Sequence, residues 1–312
     1  MAFVETLIDT LIAARIRRPS VVTVGTFDGV HVGHQHLLND VVCRAHVRDA
    51  LAVAITFHPR PTEVLRPDAP SLYLCSLDAR LDRLREAGAE VVIPIAFTRE
   101  LSQISAFDFA RALVEHMRMC ELVGGPDLAL GHDREGTPAV LRDIGARLGF
   151  VVNTVPVVDV QGETARSSVL HRAIGDGAVG RAALLLGRRY DVSGDVVQGD
   201  GRGRTIGVPT ANVAVSEKIL LPGNGVYAVF FYEGGRRWLG AANVGVRPTF
   251  AGTTRSLEVH LLDFTGDLRG APCTVEFVER LRAEIRFAGV AELVQQIHQD
   301  VERAREILGA GG

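Results

Sequence analysis

The stretch "GTFDGVHVGH", Gly25 to His34, gathers residue types that handle phosphate. The β-branched run "VVTV" leads into it, and Gly25 and Gly29 break that run into a turn. A strand, a tight turn and a helix start leave free backbone N–H groups and the positive end of a helix dipole pointing outward together, which makes an anion site. His31 and His34 lie one turn apart, so both rings reach one phosphate, and Gly33 between them permits close approach of a ligand. This suits nucleotidyl transfer, where charge builds on the α-phosphate, pyrophosphate leaves, the protein positions and neutralises, and a metal assists. The plain alternative for an isolated H-x-G-H is two surface histidines beside a cap. Zinc is disfavoured, because no cysteine or third histidine follows at ligand spacing.

A second cluster is "GDGRGRTIGVPTAN", Gly199 to Asn212. Its glycines let the backbone wrap close to phosphates, and Arg202 and Arg204 add charge. Pro209 fixes the chain before Thr210, and Thr210 and Asn212 offer hydroxyl and amide oxygens suited to Mg²⁺. Standing alone, the run reads as a Gly-rich hairpin turn; it is neither a Walker loop nor a protein-kinase glycine loop. In "SLEVHLLDF" the alternation puts Leu257, Val259 and Leu261 on one face and Glu258 and His260 on the other, which by itself makes Glu258 an outward acid. "GDGAVG", Gly175 to Gly180, fits a dinucleotide fingerprint, but polar sequence precedes it and a solvated turn is the better reading.

These residues need elements to hold them. The first half alternates strand patterns (Val21–Val24, Ala52–Phe57, Val91–Ile95, Glu121–Gly124, Phe150–Val155) with helical spacing over Gln35–Arg48, Leu77–Ala87, Ser105–Met119 and Thr137–Leu148. That order predicts a Rossmann-like parallel sheet with helices on both faces and ligands at the carboxyl ends of its strands. After Tyr190 the texture changes, with five glycines from Gly194 to Gly207. Short runs over Gly225–Tyr232, Trp238–Val244, Ser256–Leu262 and Thr274–Leu281, separated by "EGG", "AGTT" and "FTGD", predict a small antiparallel barrel. The tail, Ala291 to Leu308, has helical periodicity and is expected to pack on that barrel. The domains are therefore expected at 1–186 and 187–312.

At 312 residues with 47% hydrophobic content, each half can build its own core. The net charge is −3 and no Lys/Arg block stands out, so no nucleic acid or anionic membrane partner is expected. The longest apolar run, Val226 to Tyr232, is far short of the roughly 20 residues of a spanning helix. The N-terminus lacks the basic start of a signal peptide, and Cys43, Cys75, Cys120 and Cys273 are scattered, so the expected compartment is the cytoplasm. Nothing in the sequence fixes an oligomeric state.

"GTFDGVHVGH", "TFHPRPTEVL", "LDARLDRLREAGAE", "AFTRELSQISAFDFARALV" and "LVGGPDLALGHDREG" resemble, in order, the N-terminal module of bacterial bifunctional riboflavin kinase/FAD synthetases, an α/β nucleotidyltransferase. The resemblance implies that Gly25, Phe27, Asp28, Gly29, His31, Gly33 and His34 form the ATP site of FMN adenylylation. It places Phe57, His58, Pro59 and Asp127 beside the flavin or nucleotide. The family usually carries S-S-T-x-I-R; "SSVLHR" keeps Ser167, Ser168 and Arg172 as ATP contacts and departs at Val169 and His171. The family's "DFxFG" stands here as "DLALG", with Leu128 and Leu130 replacing two rings.

"GRGRTIGVPTAN", "LLPGNGVYAV", "NVGVRPTF", "LEVHLLDFTGDLRG" and "RLRAEIRF" are similar, in order, to the riboflavin kinase module, a small β-barrel. By that likeness Gly201, Gly203, Gly207 and Pro209 bind ATP, and Thr210 and Asn212 bind its Mg²⁺. Glu258 is the general base for the 5′-hydroxyl of riboflavin. Asn243, Arg247 and Arg282 contact flavin, although Arg282 also reads as a solvated helix-end arginine. Arg269 stands where the family tends to have an aromatic, and little effect is expected. The function implied is phosphorylation of riboflavin to FMN and adenylylation of FMN to FAD. A kinase whose N-terminal domain is inactive or only binds flavin is the second reading, motivated by Val169, His171, Leu128 and Leu130.

Overall fold

Successive side chains of a strand point to opposite faces, and here both faces of the first strands are apolar. In β1 (Ser20–Gly25) and β2 (Leu51–Phe57), Val22, Val24, Val53 and Ile55 pack on one side. Val21, Ala52 and Ala54 pack on the other. Such strands must be covered twice. In the computed structural model, which describes residues 2–69, 71–199, 208–249 and 252–309, they are.

With β3 (Val91–Ile95), β4 (Met119–Gly124) and β5 (Val151–Thr154) they form a five-stranded, wholly parallel sheet of order β3-β2-β1-β4-β5. Helices α1 (Ala2–Ala13), α5 (Ala106–Met117) and α6 (Pro138–Leu148) cover one face through Leu11, Leu113 and Leu141. Helices α2 (Val32–Val47) and α4 (Leu77–Glu86) cover the other through Leu38, Val41 and Leu84. A short α3 (Pro61–Leu65) follows β2, and a two-stranded hairpin joins β6 (Asp159–Val160) to β7 (Glu163–Thr164). The N-caps are legible: Ser76 Oγ accepts from Ala79 N and Ser105 Oγ from Asp108 N.

The second unit is a closed barrel of order β10-β11-β12-β9-β8-β13, antiparallel at every pairing. Its strands are β8 (Tyr190–Val197), β9 (Ala211–Ala214), β10 (Gly225–Glu233), β11 (Arg236–Thr249), β12 (Gly252–Leu261) and β13 (Pro272–Arg282). Rings of Tyr190, Tyr227 and Phe277 fill one end, with Tyr227 edge-on to Phe277 at 5.4 Å. Helix α9 (Val290–Gly309) lays Ala304 and Leu308 on Ala228, Phe230 and Ala241. The four cysteines are free, and burial pushes the Cys273 thiol up to about 11.

Two differences from the sequence reading have physical causes. Strands β8 and β9 sit inside the Gly-rich stretch, where Gly194 and the acids Asp191 and Asp195 dilute the strand signal. The Cα packing divides the chain into Met1–Ser71 with Ser76–Arg166, and Leu72–Cys75 with Ser167–Gly312, so residues 167–186 lie with the barrel. They form α7 (Ser167–Gly175) and α8 (Val179–Leu186). Gly223 N donates to Ile174 O at 2.9 Å and Arg280 Nη1 of β13 to Asp176 O at 3.2 Å, fastening the end of α7 to the barrel unit. The dinucleotide-like "GDGAVG" therefore joins two helices. Its Gly177 (φ +75°) abuts the Tyr227 hydroxyl and Arg280.

Candidate active sites

In the sheet unit the strand order reverses beside β1, since β2 follows it on one side and β4 on the other. Ligands of such sheets enter the crevice at the carboxyl ends there. The turn after β1 supplies Thr26 to His31, with positive φ at Phe27 (46°), Gly29 (78°) and Val30 (43°). A β-branched residue in that region is strained, and Val30 is held by its N–H to Phe27 O at 3.1 Å and by Gln35 Nε2 on its carbonyl at 2.9 Å. His31 is the N-cap of α2, and its ring stacks on that of His34 with centroids 3.6 Å apart and planes 19° apart. A Cβ at Gly33 would press on the His31 ring at 3.1 Å and on Ala165 O at 3.3 Å.

Burial, the neighbouring His31 and the Arg80 guanidinium hold His34 well below the usual imidazole range. It is thus neutral at pH 7. Phe27 is a core residue, 2% exposed, whose ring backs His34 at 5.1 Å. Asp28 is also buried, and Arg60 Nη1 donates to it at 2.8 Å while Nη2 donates to Ser71 Oγ at 2.8 Å. That bond ties the β1 turn to the segment after β2. Phe57 ends β2 edge-on to Phe97, and the half-buried His58 and Pro59 follow it. Asp127 is exposed after β4, at the same edge of the sheet. Leu128 and Leu130 belong to the core, so the two missing rings are absorbed in packing. Ser167, Ser168 and Arg172 open α7 in the second unit, with Ser168 and Arg172 exposed.

The barrel positions a second set. In the register, Glu258 of β12 stands directly opposite Asn243 of β11 on one side and Asn212 of β9 on the other. Directly opposed residues share a face, so the three make one polar row. A cleft of about 620 Å³ between barrel and α9 is lined by Thr210, Asn243, Glu258, His260, Arg282 and Phe287, among others. A second cleft, about 460 Å³, is lined by Gly199, Pro209, Thr210, Asn212 and Arg269. Thr210 is common to both. Glu258 thus faces a cleft, and Leu257, Val259 and Leu261 on the other face are buried.

Arg282 ends a strand; it is not a helix-end residue. Its guanidinium forks onto Asp300 of α9, with Nε to both carboxylate oxygens at 3.0 Å and Nη2 to Oδ2 at 2.8 Å. His260 Nδ1 donates to Pro209 O at 2.8 Å, fixing the peptide that carries Thr210. Arg269 is held by Asp267 on the rim of the smaller cleft. Gly201, Gly203 and Gly207 lie outside the described residues, and Arg247 is placed on β11 by its backbone alone.

Sequence reasoning missed Arg80, Arg60, His260 and Asp300. The signal for Arg80 was a charge on the buried stripe of α4, one turn before Leu84. Gly199, the first glycine of the Gly-rich cluster, lies against the Asn212 amide, which a Cβ there would strike.

The riboflavin kinase family model matches residues 186–308, and the FAD synthetase family model matches residues 13–169. The bifunctional riboflavin kinase/FMN adenylyltransferase of Escherichia coli strain K12 is 38% identical over 291 residues, covering 93% of each chain. The protein of the same name from Bacillus subtilis is 33% identical, covering 91% of each. A crystal structure described as a macrolide-efflux protein from Streptococcus pneumoniae matches with a TM-score of 0.85 at 31% identity, covering 93% of this chain and 95% of that one. Among the described residues here, no helix is long and apolar enough to cross a membrane. With both family models matched in chain order and relatives of one name aligned over nine-tenths of the chain, this protein belongs to the bifunctional riboflavin kinase/FMN adenylyltransferase family.

Proposed function

We propose that the barrel unit phosphorylates riboflavin to FMN with ATP and that the sheet unit adenylylates FMN to FAD, releasing pyrophosphate. The observation that carries the first step is the polar row Asn243–Glu258–Asn212 beside Thr210, the residue shared by two clefts. Riboflavin occupies the larger cleft under α9 and ATP the smaller one. Glu258 takes the proton of the 5′-hydroxyl as that oxygen attacks the γ-phosphorus and ADP leaves; positioning supplies much of the rate. Asn243, Arg247 and Arg282 hold the flavin, and Gly201, Gly203, Gly207 and Pro209 line the nucleotide.

Thr210 and Asn212 offer only hard oxygen donors, and no cluster of three His, Cys, Asp or Glu side chains suited to a metal exists among the described residues. That fits Mg²⁺ carried in by ATP phosphates, where it neutralises charge on the transferred group.

In the sheet unit the FMN phosphate attacks the α-phosphorus of ATP. His31 and His34, with the turn Gly25, Phe27, Asp28, Gly29 and Gly33, receive the phosphates and the leaving pyrophosphate. Phe57, His58, Pro59 and Asp127 border flavin or nucleotide. Of the four departures that motivate the kinase-only reading, Leu128 and Leu130 are core residues, and retention of His31 and His34 favours the two-activity reading. Four free cysteines suit a reducing compartment, and we place the protein in the cytoplasm.

Purified protein with Mg²⁺ and ATP, given riboflavin in one reaction and FMN in another, tests the assignment. FMN and FAD from the first and FAD from the second are expected. FMN from the first with no FAD from either would leave the kinase alone.

A further inference from the structure

Arg80, in the middle of α4, is the largest side chain wholly removed from solvent, at 0% exposure. A guanidinium keeps its charge at any physiological pH, so this burial places a permanent positive charge inside the sheet unit. Nη1 donates to Phe57 O at 3.1 Å and to Thr56 Oγ1 at 3.4 Å. Thr56 Oγ1 in turn donates to Thr26 O at 3.1 Å. Because Thr56 stands opposite Gly25 in the β1–β2 register, these bonds run from α4, through the end of β2, to the first residue of the phosphate turn.

Among the described residues, burial weighs most on His34, and two charged groups act in the same sense. His31, from the cap of its own helix, stacks on it and opposes its protonation; Arg80, from α4, opposes it in the same sense. Phe27 covers it from the turn with a neutral ring, and the turn's carboxylate, Asp28, is engaged by Arg60. A positive charge fixed in a dry interior acts on nearby phosphate more strongly than one in water, and it needs no reorganisation as charge develops.

We propose that Arg80 is a positioning residue of the adenylyl-transfer site: it locks the ends of β1 and β2 to each other and holds a fixed positive charge in the interior beside the turn that leads into α2. This rests on the assignment of FMN adenylylation to the sheet unit. Arg80 touches no substrate; it sets where the turn 26–31 lies and which protonation state His34 has when ATP arrives.

The test compares Arg80→Met and Arg80→Lys in the full-length protein. Arg80→Met is expected to lower kcat/KM for FAD formation from FMN by roughly 10- to 100-fold, the usual loss when a group supporting a first contact is removed. FMN formation from riboflavin in the same preparation is expected to stay at the wild-type level. Followed by NMR, the His34 imidazole is expected to titrate at a higher pH in Arg80→Met than in wild type. Arg80→Lys, which keeps the charge, is expected to restore the low titration and part of the rate. Unchanged FAD formation and an unmoved His34 titration in Arg80→Met would overturn the proposal. If Arg80→Met does not fold, Arg80→Lys decides: a His34 titration raised to the ordinary imidazole range would overturn it, and one that stays low supports it. Absence of FAD formation in the wild-type protein would instead overturn the functional assignment, while the His34 titration would still read the field of Arg80.

Discussion

In the barrel, Glu258 shares its face with Asn243 and Asn212 and lines a cleft, the position that the proposed base of the kinase step requires. Glu258→Gln keeps the shape and removes the base. FMN formation is expected to fall by about 10²- to 10⁴-fold, the usual weight of a positioned base, with FAD formation from supplied FMN unchanged. His34 is the opposite case, a ring kept neutral by burial, His31 and Arg80. Its folded-state pKa is depressed, so the unfolded chain binds the extra proton first, and stability drains as pH falls below about 6.5, the ordinary imidazole value. Replacement by a group that does not titrate, His34→Gln, is expected to flatten the loss of sheet-unit stability between pH 7 and pH 5 in denaturant melts, and to cut FAD formation at pH 7. A stability profile as steep as that of wild type would show that His34 carries no such linkage.

At the scale of elements, the sequence reading succeeded where periodicity was clean. The five parallel strands, the helices α2, α4, α5 and α6, and the tail helix α9 follow the hydrophobic pattern to within a few residues. It fell short where function bends the pattern. Strand β9 is Ala211–Ala214, half of the P-T-A-N motif, and the polar residues that make it a ligand segment also hide it as a strand. Arg80 was passed over although it falls on the apolar stripe of α4, because charge on a helix is normally solvated; the packing shows it enclosed. Glu258 was legible through resemblance alone, since alternation cannot tell a cleft from open water. The link from β13 to α9 gives a prediction of its own. Asp300→Ala removes the acceptor of the Arg282 fork and is expected to cost about 1.5–3 kcal/mol, with a rise in KM for riboflavin exceeding any change for ATP. Equal changes for both substrates would show that α9 does not govern the flavin side.

Across the whole molecule, two separately cored units each carry one candidate site, placed in one at a helix N-terminus and in the other on a row of polar strand residues. The Tyr190, Tyr227 and Phe277 rings pack against one another in the barrel unit, and Phe277→Ala is expected to cost about 3–5 kcal/mol of barrel stability, read from the midpoint for loss of FMN formation in urea. A midpoint unchanged from wild type would mean that the barrel does not depend on that core. The central claim is that the two transfers run at two separate residue sets. One comparison tests it most directly: Glu258→Gln and the double variant His31→Ala, His34→Ala, each assayed with riboflavin and with FMN. The account predicts that the first variant makes FAD from FMN and no FMN from riboflavin, while the second makes FMN and no FAD. Loss of both products in either variant would contradict it.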